Sequence, residues 1–118
     1  MRIYIDQVFE NMNIEGAVIL NVLPEKDYRK LHIKGSENLP LGKDPEAFCE
    51  EVVEKYGRKK KFIVYGERFG LLDSYMAARA LEEKDLQVLN YSGGIEEWYR
   101  SGLPVDGTQV HPEPKADA

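Results

Sequence analysis

Cysteine is nearly missing from this chain: Cys49 is the single thiol among 118 residues. One thiol cannot close an internal disulfide. Without a pair there is no Cys-x-x-Cys motif, zinc knuckle or secreted disulfide framework, and a reducing, cytosol-like setting is the simplest expectation. Histidine is almost as scarce, with His32 and His111 alone, so no metal site is expected. Basic residues are outnumbered, 16 against 21 acidic, for a net charge of -5. A binder of phosphate backbones needs the opposite balance, which argues against nucleic acid as a partner. The one dense basic cluster, Arg58-Lys59-Lys60-Lys61, lies between a helical pattern and an apolar run and reads as a solvated connection. No stretch approaches the roughly 18 to 20 apolar residues that span a bilayer, and the start at Met1-Arg2-Ile3-Tyr4-Ile5-Asp6 turns polar too soon for a signal peptide. The expectation is a cytoplasmic chain with no membrane partner.

What is present is the make-up of one folded domain, with 42% hydrophobic and 31% charged residues. The near-continuous apolar run Ala17-Val18-Ile19-Leu20-Asn21-Val22, between Gly16 and Pro24, predicts a buried strand. Residues 24–31 follow with proline at the start, acids in the first turn and bases in the last, which suits a short helix. Asp44 before Pro45 is a capping signal; Phe48, Cys49, Val52, Val53 and Tyr56 then recur at helical spacing until Gly57. Phe62-Ile63-Val64-Tyr65 predicts a second strong strand, running through a loop with Gly66 and Gly70 into a helix over 73–84. Residues 86–91 predict another strand, Gly93-Gly94 a sharp turn, and 95–101 a last short helix; Arg2 to Ile5 is a further short strand candidate.

Strands alternating with helices imply an α/β fold, a central mainly parallel sheet with helices on both faces. In such sheets ligands sit outside the carboxyl ends of the strands, which directs attention to the loop after Tyr65. The domain is expected over residues 1–106. Beyond it the composition shifts to Asp, Gly, Pro, Lys and Ala, and 107–118 is expected to be a flexible tail with no assigned function.

Several segments in fixed order resemble the rhodanese-like domains. Asn21-Val22-Leu23 with Glu25-Lys26-Asp27-Tyr28 resembles that family's Asp-Val-Arg strand end and Glu-Tyr helix. The segment from His32 through Ile33, Gly35 and Asn38 to Pro40 is similar to its His-Ile-Pro-Gly-Ala-x-Asn-Ile-Pro third strand. Ser74, Ala77 and Ala78 match its Ser-x-x-Ala-Ala helix, and Gly93-Gly94-Ile95-Glu96-Glu97-Trp98 with Gly102-Leu103-Pro104 its C-terminal signature.

The resemblance implies a sulfurtransferase scaffold in which a cysteine directly after the strand carries a persulfide, held by backbone N–H groups of the loop. Here that position is Gly66, and a hydrogen side chain cannot hold sulfur. The loop also resembles a longer family variant with a second, mid-loop cysteine, whose place is held by Leu71. The strand-end Asp and Arg are replaced by Asn21 and Leu23. Cys49, by its phase on the helix, reads as a core residue and not a substitute nucleophile. His32 reads as part of the structural turn that the resemblance implies. The sequence therefore offers no catalytic residue and no cofactor. It offers a degenerate active-site loop: Gly66, Glu67, Arg68, Phe69, Gly70, Leu71, Leu72, Asp73 and Ser74.

Two readings of that loop stay open. Its amides, with Arg68 as a guard, would hold an anion weakly; against this, Asp73 near the helix cap would satisfy those amides itself. Phe69, Leu71 and Leu72 either plug the former pocket or give a protein partner an anchor. The expected function is a non-enzymatic binding or regulatory module. The alternative is a thiosulfate-type sulfurtransferase using a non-standard nucleophile or a partner's cysteine. Asn90-Tyr91-Ser92 matches a glycosylation acceptor by chance, and Trp98 and Tyr99 are expected to pack on the sheet.

Overall fold

The computed structural model describes residues 2–109. Its elements run β1 (Arg2–Ile3), α1 (Ile5–Asn11), β2 (Ala17–Asn21), α2 (Glu25–Lys30), β3 (His32–Ile33), β4 (Glu37–Asn38), α3 (Pro45–Tyr56), β5 (Lys61–Tyr65), α4 (Asp73–Glu82), β6 (Gln87–Tyr91), α5 (Gly94–Arg100) and β7 (Val105–Asp106). Five strands form a parallel sheet in the order β1-β6-β5-β2-β4, and β3 pairs antiparallel with β7.

The pleat of the central strands divides the core. Leu20, Phe62, Val64 and Val88 face Phe48, Cys49 and Val52 of α3 and Ala77, Ala78 and Leu81 of α4. Ile19, Ile63, Tyr65 and Tyr91 face Val8 of α1 and Ile95 and Trp98 of α5. Successive residues of one strand feed opposite layers because strand side chains alternate. The result is the three-layer α/β sandwich that the near-continuous apolar strands predict. Within α3 the Asp44 carboxylate accepts the Glu46 N–H at 3.0 Å and Pro45 opens the first turn, while Gly57 at φ +80° ends the helix. No helix among the described residues is long and apolar enough to cross a membrane.

Three expectations are corrected. The N-terminal strand stops at Ile3, and α1 follows at once; the Gln7 side chain folds back to accept the Tyr4 N–H at 2.9 Å, and Val8 is fully buried against the sheet. The third strand is two short ones in different sheets, because the chain turns at Ser36, whose N–H bonds the Ile33 carbonyl at 2.9 Å, with Gly35 at φ +84°. Trp98 is fully buried, its Nε1–H on the Pro104 carbonyl at 2.7 Å, but Tyr99 is exposed on the outer side of α5.

Of the expected tail, Gly107, Thr108 and Gln109 run alongside the end of α2: the Thr108 N–H donates to the Arg29 carbonyl at 2.8 Å and that of Gln109 to Lys30 at 2.9 Å. Residues 110–118, with His111, lie outside the described residues.

Candidate functional site

The carboxyl ends of β2, β5 and β6 come level at one edge, where Asn21, Tyr65 and Tyr91 stand side by side in register. Tyr65 and Asn21 are completely buried there. The Tyr65 hydroxyl accepts the Ile33 N–H at 3.0 Å and donates to Ser36 Oγ at 2.8 Å, whose own proton goes to the Ile33 carbonyl at 2.6 Å. This chain ties β5 to the β3–β4 turn, and burial pushes the Tyr65 phenol up to about 12. Asn21 Oδ1 accepts the Leu23 N–H at 2.9 Å, closing the turn after β2, and Asn38 Nδ2 donates to the Asn21 and Leu23 carbonyls. Asn21 thus keeps the turn without the charge that an aspartate would put there.

Gly66 follows β5 directly and is buried. The loop then emerges: Glu67, Arg68, Phe69, Gly70, Leu71 and Leu72 are all exposed, Asp73 is half-buried, and Ser74 is buried under the first turn of α4. Its root is stapled to α5, since the Gly66 carbonyl accepts the Ile95 N–H at 3.0 Å and the Glu67 carbonyl that of Glu96 at 2.9 Å. Gly94, at φ +70°, makes the staple feasible. A Cβ there would lie 2.6 Å from the Glu67 carbonyl and 2.8 Å from the Arg68 nitrogen. Gly93-Gly94 is legible in the sequence as a turn and as part of the C-terminal signature; the contact of Gly94 with Glu67 depends on a neighbour distant along the chain.

Asp73 is not the cap of α4. Leu72 occupies that position, in right-handed helical conformation and with no side-chain cap bond. The Asp73 side chain sits inside the first turn, one residue past the cap, with its Cβ toward Gly66. Among the described residues, the backbone amides of Glu67, Arg68 and Gly70 meet no carbonyl acceptor. Phe69, Leu71 and Leu72 are 66%, 39% and 63% exposed. At the loop root a small cavity of about 190 Å³ lies between Leu23, Glu67, Ile95 and Gln109.

Cys49 sits on α3, 3% exposed within the cluster that includes Val52, Leu81 and Leu86, and burial pushes its thiol up. His32 stacks on Tyr28 with ring centroids 3.8 Å apart, and its Nδ1–H donates to the Tyr28 carbonyl at 2.7 Å. The basic cluster is anchored at both ends, Arg58 on the Lys84 carbonyl and Lys61 on Asn11.

The comparisons with known proteins agree with this architecture. The family model of the Rhodanese-like domain matches residues 5–101, and the chain belongs to that family. Among solved structures it is similar to the BH2092 protein of Bacillus halodurans, with a TM-score of 0.81 and 20% identity, covering 98% of this chain and 85% of that one. It is similar also to the Rhodanese-like domain of the Alr3790 protein of Anabaena sp., with TM-score 0.74, 20% identity and coverage of 99% and 88%. A full-length protein from Lactobacillus plantarum gives 0.74 at 24% identity, with coverage of 90% and 87%. No curated protein matches the chain.

Proposed function

We propose that this rhodanese-like domain is a non-enzymatic binding or regulatory module that engages a protein partner through residues 66–74. The observation that carries the reading is Gly66: it stands directly after β5, where sulfur transfer in this fold calls for a thiolate, and it has no side chain. The chain's one thiol is shielded on α3, and burial pushes its pKa up. The exposed Phe69, Leu71 and Leu72 give the loop an apolar surface that suits protein docking. The amides of Glu67, Arg68 and Gly70, which meet no backbone carbonyl among the described residues, suit a weakly held anion. An unpaired thiol fits a reducing compartment such as the cytoplasm.

The experiment is intact mass after incubation with thiosulfate, on the natural chain and on Gly66→Cys. The expected result is an added sulfur of about 32 Da, removable by dithiothreitol, on the variant alone. Sulfur on the natural chain would make Cys49 a nucleophile and overturn the non-enzymatic reading.

A further inference from the structure

Beside the loop, between the ends of β1 and β6 and the side of α5, lies an open cavity of about 640 Å³. Its walls are aromatic and acidic: Tyr4, Phe69 and Tyr91, with Glu96 and Glu97 and one guanidinium, Arg100. Tyr4 and Phe69 present exposed rings at the rim, 62% and 66% accessible, whereas Tyr91 is buried at the base. The Tyr91 hydroxyl donates to Glu97 Oε1 at 2.7 Å, fixing that carboxylate at the wall and leaving its second oxygen to accept. Gly93 leaves the room for it, since a Cβ there would fall 2.0 Å from Glu97 Oε1. Among the described residues neither Glu96 nor Glu97 is held in an ion pair.

Aromatic faces carry negative quadrupoles, and with a positioned carboxylate they select a cation. Two carboxylates against one guanidinium leave the site net negative, in a chain of net charge -5. Phe69 also begins an apolar strip on the loop and first turns of α4, continued by the exposed Leu72, Tyr75 and Met76. A small free amine would leave that strip uncovered; a peptide segment would cover both. We infer that the cavity receives the lysine or arginine side chain of a partner protein's segment, whose neighbouring apolar side chains lie along the strip. This rests on the docking role proposed for the loop and names the chemistry that would be docked.

The test is amide chemical-shift titration of the ¹⁵N-labelled chain with acetyl-Leu-Arg-Leu-Lys-amide, and with its neutral counterpart carrying citrulline and Nε-acetyl-lysine. The cationic peptide should move the amides of Phe69, Tyr91, Gly93 and Glu97 to saturation. Binding should weaken about tenfold for the neutral peptide, for Glu97→Gln and for Phe69→Ala, and weaken again when salt rises from about 0.05 to about 0.5 M. Preserved dispersion of the variant spectra shows that they fold. Equal binding of both peptides, or an unchanged affinity in Glu97→Gln, overturns the cation site. If the neutral peptide moves only the amides of Leu72, Tyr75 and Met76, the cation site falls and the loop remains a docking surface. If neither peptide moves any of these amides, the cation site falls as well, and the non-enzymatic reading still stands or falls by the thiosulfate experiment.

Discussion

Gly94 presses its Cα against the peptide that joins Glu67 to Arg68, so closely that a Cβ would come within 2.6 Å of the Glu67 carbonyl. Backbone contact at this range is what locks the loop root to α5, through the paired Gly66–Ile95 and Glu67–Glu96 hydrogen bonds. Gly94→Ala combines that overlap with a left-handed φ of +70°. The expected cost is about 2 kcal/mol or more, a Tm lower by about 8 °C at roughly 4 °C per kcal/mol, measured by thermal unfolding.

Gly66 makes the opposite case. Its φ lies outside the left-handed region, and an added Cβ meets Asp73 Cβ at 3.5 Å and Leu23 Cδ2 at 3.8 Å, ordinary contact distances. Gly66→Ala should therefore leave stability unchanged or raise it by about 0.5 kcal/mol through the unfolded chain, as read in urea unfolding. A destabilisation above about 1 kcal/mol would show that the glycine is required for backbone geometry and not merely a position without sulfur.

Tyr65 and Ser36 hold the β3–β4 turn against the sheet edge. Tyr65→Phe leaves the buried Ile33 N–H without its acceptor, and unfolding in urea should show a loss of about 1 to 3 kcal/mol. Ser36→Ala keeps the Ile33 bond to Tyr65 but removes the Ser36 link between that hydroxyl and the Ile33 carbonyl. About 1 kcal/mol is expected for it.

The same phenol gives an alkaline signature. Its folded value is raised to about 12 from an ordinary 10.0, so between these values the unfolded chain loses the proton first. Stability from this group is fully present below pH 10 and lost as pH rises toward 12, by about 3 kcal/mol. Tyr28, Tyr56 and Tyr91 are raised too and act in the same direction. The measurement is thus the difference between the natural chain and Tyr65→Phe across pH 9 to 12, which should narrow as pH rises.

Cys49 should react with iodoacetamide at pH 8 at least about tenfold more slowly in the folded chain than in urea, because it is covered and burial pushes its thiol pKa up. A native rate matching the unfolded one would place the thiol at the surface.

How much of this was legible beforehand depends on range along the chain. Helix α3 was readable end to end because its signals are local: Asp44 and Pro45 begin it, Gly57 ends it, and the apolar spacing marks its buried face. The central strands were readable because continuous apolar runs have no soluble alternative to burial. Helix α1 was missed because Ile3, Ile5 and Val8 carry too short a pattern to separate strand from helix. Only packing of Val8 on the sheet decides it. The absence of a thiol after β5 was visible residue by residue, as was the apolar character of Phe69, Leu71 and Leu72.

The composition and order of residues determined by themselves an α/β chain, its family and the glycine that follows β5. The tertiary structure decided what stands next to what. It placed Gly94 under Glu67 and put Leu72 at the cap position of α4. It also brought Tyr4, Phe69, Tyr91 and Glu97, from three separate stretches of sequence, around one cavity. Periodicity encodes which face of an element is buried, but not which residue of a distant element it will meet; that is fixed only when the sheet order and the crossing of the helices are set together.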